Sequence, residues 1–378
     1  MSQRPLDGLC VLDLTRLLPG AAATMVLANF GAEVIKIEQP GGGDYARSLP
    51  PMIDGVGAVF TLVNRGKKSI VLDLKNPGDR EAFLRLVDRA DVLLEGFRPG
   101  VMKRLGLDYQ TLGERNPRLI YTALTGYGQS GPYAAMAGHD INYVALGGLL
   151  DLTGGPDGPP VIPGTPVADM AAGTLQAVIG VLLALAARER TGRGQLVDVS
   201  MLDGVVSLLP VALALYAAKG EAPRRGDQKL TGRYACYNVY RARDGRWLAV
   251  GALEPKFWVE LCRGLGCEQL AAEQFAEGPR QREMIRELAA IFRTRDAAEW
   301  FAQFRDRDAC LTLIQDMAEV AADPHLCERG MIDGGGPGVV PRLSDTPGRV
   351  GGKAPALGEH TAEVLLEPAA TIEHGRPH

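Results

Sequence analysis

Five histidines occur in this 378-residue chain, and His139 stands where it could move a proton. It lies in AGHDINYVALGG (137–148), just after a Gly-Pro turn and among small and apolar residues. An imidazole titrates near neutral pH, so it can take a proton and return it. Read alone, the same residue serves equally as a structural histidine. Asp169 lies in GTPVADMAAG (164–173), directly before an apolar stretch with helical spacing. A carboxylate there caps a helix start, or it stands exposed at one end of a sheet beside amides able to polarise a carbonyl. Glu254 lies in GALEPKFW (251–258), between a strand and Pro255. It reads as a helix-start acid or as the third group that orients a base. Of the other histidines, His325 precedes a loop, His360 starts the last helix, and His374 and His378 fall in a frayed tail.

Positive charge gathers in NRGKKSIVLDLK (64–75) and EGFRPGVMKRLG (95–106). Lys75, Arg98 and Arg104 follow strand candidates. They read as solvated surface charge or as a clamp for the phosphates of an anionic ligand, a task that suits the forked guanidinium of arginine. Other chemistries lack their motifs. There is no phosphate loop of the Walker type and no GxSxG elbow. The six cysteines form no CxxC and sit near no histidine pair, so no metal site is expected, and they read as reduced thiols of a cytoplasmic protein. A net charge of -4 lacks the basic footprint of nucleic-acid binding. The N-terminus shows no signal-peptide pattern. The two most apolar runs, 177–187 and 204–218, are shorter than a membrane span and read as buried core helices, the second broken by Pro210.

Alternating elements position these residues. Strands are expected at 9–15, 34–38, 68–74, 91–97, 119–128 and 195–201, with helices after the first, third and fifth. Pro77 opens one helix and Gly31 closes another. This alternation predicts an α/β fold: a large Rossmann-like domain with a mostly parallel sheet, and ligands beyond the carboxyl ends of its strands. Residues 233–252 predict a hairpin around Asp244-Gly245, and helices follow at about 255–265, 279–293 and 297–305. The expected organisation is a large domain over 1–200, a helical linker over 201–228, a smaller α+β domain over 229–324, and a return to the large domain over 325–378.

Several segments together resemble the class III CoA-transferase superfamily (the CaiB/BaiF type). They are VLDLTRLLPGAAATMVLANFGAEVIKIEQPGGGD, NRGKKSIVLDLK, ADVLLEGFRPGVMKRLGL, NPRLIYTALTGYGQSGP and LGEHTAEVL, in order and nearly end to end. The resemblance implies an acyl-CoA substrate, no further cofactor, and an interlocked homodimer, with neither nucleic acid nor membrane as partner. It places CoA contacts at Leu72, Asp73, Leu74, Lys75, Gly96, Phe97, Arg98, Arg104, Gly138, Asp140, Ile141, Asn142 and Tyr143. One departure is Gln39, where the family often carries arginine.

The formyl-CoA-transferase branch uses an aspartate nucleophile at the position of Asp169. The α-methylacyl-CoA racemase branch pairs that aspartate with the histidine of a GHDINY motif, intact here at 138–143, and adds a glutamate matching Glu254. The resemblance thus implies a racemase or epimerase of 2-methylacyl-CoA thioesters, of a kind at home in lipid metabolism. His139 and Asp169 would exchange the α-proton across its two faces, and amides at the start of the 170–190 helix would hold the enolate oxygen. The alternatives are a CoA-transferase working through an Asp169 mixed anhydride, for which the GGPDGPP loop (154–160) would guard the intermediate, and a non-catalytic acyl-CoA-binding protein.

Overall fold

The computed structural model describes residues 3–366. His374 and His378 lie outside them. The described chain divides into two compact units. One comprises 3–149, 163–209 and 329–366, and the other 150–162 and 210–328.

Six strands build the main sheet of the first unit: β1 (Cys10–Asp13), β2 (Glu33–Glu38), β3 (Lys68–Val71), β4 (Val92–Glu95), β5 (Ile120–Thr125) and β6 (Leu196–Ser200). All five pairings are parallel. The order is β3–β2–β1–β4–β5–β6. The four central strands are almost wholly buried, as a sheet covered on both faces requires. Strand order reverses between β1 and β4, which opens a crevice at their carboxyl ends. Helix α1 (Pro19–Asn29) follows β1 with proline in its first turn, and its chain exits through Gly31 at φ 115. Helix α2 (Pro77–Arg89) is capped by the Asn76 side chain, which accepts from the amides of Gly78 and Asp79. It buries Phe83, Leu86 and Val87.

The return segment covers the sheet's outer edge. His360 N–H donates to the Ser69 carbonyl, Ser69 N–H to His360 Nδ1, and Val71 N–H to Thr361 Oγ1. Backbone groups of β3 that an edge strand would leave open are satisfied in this way.

The second unit holds the hairpin β7 (Tyr237–Arg241) and β8 (Trp247–Gly251), turning at Gly245 with φ 86. A third strand, Leu311–Leu313, pairs antiparallel with β8 and went unread in the sequence. Helices Pro255–Leu265, Pro279–Phe292 and Ala297–Phe304 bury one face of this sheet around Trp258, Phe292 and Trp300.

The structure corrects three expectations. Domain boundaries shift: 150–162 groups with the second unit, because Arg225 donates to the carbonyls of Asp151 and Gly158 and pairs with the Asp151 carboxylate. The expected linker divides too, with 201–209 in the first unit and 210–228 in the second, and 325–328 also joins the second. The apolar stretch at 177–187 is part of a helical segment, Ala168–Thr191, that is long and apolar enough to cross a bilayer, and it is only partly buried. Ala177, Val178, Val181 and Ala184 are buried, whereas Leu175, Ile179, Leu182 and Leu183 are exposed. The stretch at 204–218 is two helices, Met201–Ser207 and Pro210–Lys219, divided where proline interrupts the bonding. The latter exposes Val211, Leu213 and Tyr216.

Candidate active site

A cavity of about 490 Å³ opens where the strand order reverses. Its walls are the chain just past β1 (Thr15–Gly20), past β4 (Gly96–Pro99) and around the end of β5 (Leu124–Tyr127), with segment 136–139 and Asp169 completing the rim. Every lining residue belongs to the first unit.

His139 is the N-cap of the helix Asp140–Leu146, and its N–H donates to Asn142 Oδ1 at 3.0 Å. Its side chain is exposed and lines the cavity. Tyr143, one turn on, sets the approach. Its hydroxyl donates to the Gly138 carbonyl at 2.6 Å. Its ring lies so close to Gly126 and Gly138 that a Cβ at either would stand 2.4 Å or 2.8 Å from it, which requires glycine at both. Tyr127 meets Tyr143 edge-on at 5.1 Å. The peptide entering His139 is therefore fixed by packing.

Asp169 sits inside the first turn of the Ala168–Thr191 segment, so the helix-cap reading of the sequence does not hold; Val167 occupies the N-cap position. The opening stretch, Ala168–Leu175, is π-helical, a form that recurs at functional sites. The Asp169 N–H donates to Asp140 Oδ1 at 2.9 Å. Burial, and then the neighbouring Asp140 charge, push the Asp169 carboxyl up to about 6, against an opposing pull from His139. A carboxyl poised there holds a useful fraction of both its forms near neutral pH.

The expected oxyanion donors at this helix start are already engaged, because the Asp169 amide serves Asp140 and the Met170 amide serves the Pro166 carbonyl. The candidates become the amides of Asp140 and Ile141, which follow His139 directly, since those of Asn142 and Tyr143 already serve the His139 carbonyl.

The predicted residues distribute unevenly. Gly96, Phe97, Arg98, Gly138, His139, Asn142, Tyr143 and Asp169 meet in the one cavity. Asp140 holds the Asp169 backbone from behind. Leu72, Asp73, Leu74 and Lys75 follow β3, two strands away from β1, and do not line it. Leu72 is buried in the core, and Asp73 turns the chain by accepting the Lys75 amide. Arg104, in the short helix Val101–Leu105, and the exposed Ile141 also lie off its walls. Glu254 belongs to the second unit. It is exposed, and its carbonyl accepts the amides that open Pro255–Leu265.

Sequence reasoning missed Arg16. Its guanidinium lies 5.1 Å from the Tyr45 ring centre and 5.3 Å from that of Phe97, and it donates to Tyr45 Oη and Gln39 Oε1. An arginine between a first strand and a proline-opened helix was the available signal.

A model of CoA-transferase family III matches residues 6–361. The chain belongs to CoA-transferase family III. Human alpha-methylacyl-CoA racemase is 39% identical over 374 residues, covering 96% of this chain and 93% of that protein. Succinyl-CoA:mesaconate CoA-transferase of Haloarcula hispanica is also 39% identical, covering 96% of each chain. Acetyl-CoA:oxalate CoA-transferase of Acetobacter aceti is likewise 39% identical, covering 97% of this chain and 96% of that one. The crystal structure of a CAIB/BAIF family protein from Brucella suis superposes with a TM-score of 0.84 at 35% identity, covering 96% of this chain and 98% of the other. The chain is thus an enzyme of the family III transferase and racemase group, with the resembled fold and an acyl-CoA substrate class. Identity alone favours neither branch, since racemase and transferases match equally well.

Proposed function

We propose that this family III member is a racemase or epimerase of 2-methylacyl-CoA thioesters. The observation that carries the reading is one cavity at the strand-order reversal, lined by both His139 and a carboxyl raised to about 6 at Asp169. In one direction the neutral imidazole of His139 takes the proton from the carbon beside the thioester carbonyl. The electron pair delocalises onto the carbonyl oxygen as an enolate. Asp169, protonated, returns a proton to the opposite face, and the thioester re-forms with CoA still attached. In the other direction the roles exchange. At pH 7 a carboxyl with a pKa of about 6 is roughly one-tenth protonated, whereas one of ordinary pKa is less than a thousandth protonated. The shift therefore matters to a group that must donate as well as accept. Every step is acid–base, so the reading calls for no metal or redox cofactor.

Incubating the enzyme with a 2-methylacyl-CoA in deuterium oxide tests the proposal. Deuterium at the α-carbon with CoA retained is the expected result, lost in His139→Ala. No exchange on either enantiomer of several such thioesters refutes it. A CoA-transferase instead has the Asp169 carboxylate attack the thioester carbon and expel CoA thiolate, leaving an acyl anhydride on Asp169. Transfer that survives His139→Ala would establish that reading.

We also propose a homodimer. Leu175, Ile179, Leu182 and Leu183 form an apolar helix face that a second copy would cover. Light scattering of the purified protein should return twice the 40.4 kDa chain mass, and a monomer would refute the proposal.

A further inference from the structure

The two peptide groups that flank Arg16 are both held from beneath by one buried ion pair. Lys36 projects from the middle of β2 and is wholly buried. Its ammonium donates to the Thr15 carbonyl at 2.9 Å and pairs with Asp44 Oδ2 at 2.9 Å. The other carboxylate oxygen of Asp44 accepts the Leu17 N–H at 3.0 Å and the Ala46 N–H at 3.0 Å. Lys36 thus holds the peptide before Arg16, Asp44 holds the peptide after it, and the ion pair closes the ring. Leu17 is pinned with φ 62, a left-handed conformation costly for a side chain of its size. Asp13 adds a further tie, accepting both the amide and the hydroxyl of Thr15. Burying two charges carries a large desolvation cost that their attraction does not reliably repay. General stability is therefore a weak account of the pair, and holding a strained loop in one shape is a stronger one.

We infer that Lys36 and Asp44 are positioning residues that fix Arg16 as a phosphate-recognition group at the mouth of the cavity. Gln39 and the Tyr45 and Phe97 rings complete its seat. The forked guanidinium is then presented in one orientation to the anionic part of the thioester ligand, and little side-chain entropy is lost on binding. The inference rests on the acyl-CoA ligand reading but not on racemisation.

Free coenzyme A is the probe, and titration calorimetry is the readout. Arg16→Ala should weaken binding about tenfold or more, the effect of losing a charge-assisted hydrogen bond. Asp44→Ala, which removes the acceptor of the Leu17 N–H, should weaken it comparably. Combined with Arg16→Ala it should add almost nothing, because the clamp acts only through that side chain. A structural role would give losses that add. If Asp44→Ala fails to fold, Lys36→Met with Asp44→Leu replaces the pair by apolar volume that cores commonly tolerate and removes both ties to the loop. Undiminished affinity in either clamp variant, or additive losses, overturns the inference. A wild-type protein that binds no coenzyme A overturns instead the ligand reading beneath it. Turnover adds a second check, because clamp variants should raise KM and spare kcat, whereas a general disturbance lowers both.

Discussion

Replacing Asp140 by asparagine isolates the electrostatics of Asp169. The carbonyl oxygen of the new amide can still accept the Asp169 N–H, as Asp140 Oδ1 does at 2.9 Å, so the backbone keeps its tie while one negative charge disappears. Burial is the larger cause of the raised Asp169 carboxyl and the Asp140 charge the next. Its pKa should therefore fall from about 6 toward the ordinary 3.8 without reaching it. The two directions of racemisation share an equilibrium constant close to one, so their kcat/KM profiles must shift together. With both Asp169 and His139 protonated neither direction can start, so the acid limb of each profile follows protonation of the Asp169 carboxylate. At pH 5 its ionised form rises from about one-tenth of the enzyme to at most about nine-tenths, the limit for a pKa of about 4, so kcat/KM there rises, relative to the maximum of each profile, by up to about ninefold. The assay is kcat/KM against pH for each enantiomer, followed by α-proton exchange into deuterium oxide. Acid limbs that do not move would refute the assignment of Asp169 as the second acid–base group.

Glu95, buried at the end of β4, accepts the Phe97 amide at 2.6 Å, and burial pushes its carboxyl up to about 7. Between pH 4.5 and 7 the folded state holds a proton that the unfolded state has released, so stability should fall as pH rises, by roughly 3 kcal/mol at most from this group. Glu95→Gln should remove that fall in urea unfolding at pH 5 and pH 8; an unchanged pH dependence would dismiss the carboxyl as its source. Tyr143→Phe frees the Gly138 carbonyl and should cost about 1 kcal/mol of stability while slowing exchange more than it raises KM, as single-turnover kinetics would register. Gly204→Ala places a Cβ 2.5 Å from the Ala172 carbonyl oxygen. Overpacking of that kind costs about 1–3 kcal/mol, and an unaltered unfolding midpoint would show that the helix pair is free to separate.

The sheet was legible because its signals are local. Apolar runs such as VLDL and VLLE, separated by a proline-opened helix, fix both strand type and spacing. The six strands fall where the pattern places them, with most ends trimmed by one to three residues and β2 starting one residue earlier; the stretch 72–74, for instance, turns away from the sheet because Asp73 accepts the Lys75 amide. His139 and Asp169 were legible as residue types, but their meeting in one cavity depends on a chain reversal that no local pattern encodes. Their resemblance to a known motif supplied it. Arg16 escaped notice because a single cation after a strand looks like surface charge; only Lys36 and Asp44, distant in sequence, give it a fixed direction. The apolar helices misled for a related reason. Periodicity reports that a face avoids water, and it does not report what covers that face.

The turn at His360 and Thr361 also bears on how the molecule comes to exist. The bonds from His360 and Thr361 to Ser69 and Val71 join residues about 290 positions apart. During synthesis the six strands can all be complete while the flank at Lys68–Val71 still lacks its cover, and the whole second unit must emerge before that cover arrives. Over that interval the nascent protein carries an open strand edge able to pair with a neighbour on the same message. Completion of the first-built unit is thus timed by a segment made after the second, and a ribosome that stops before residue 360 releases a sheet without its guard.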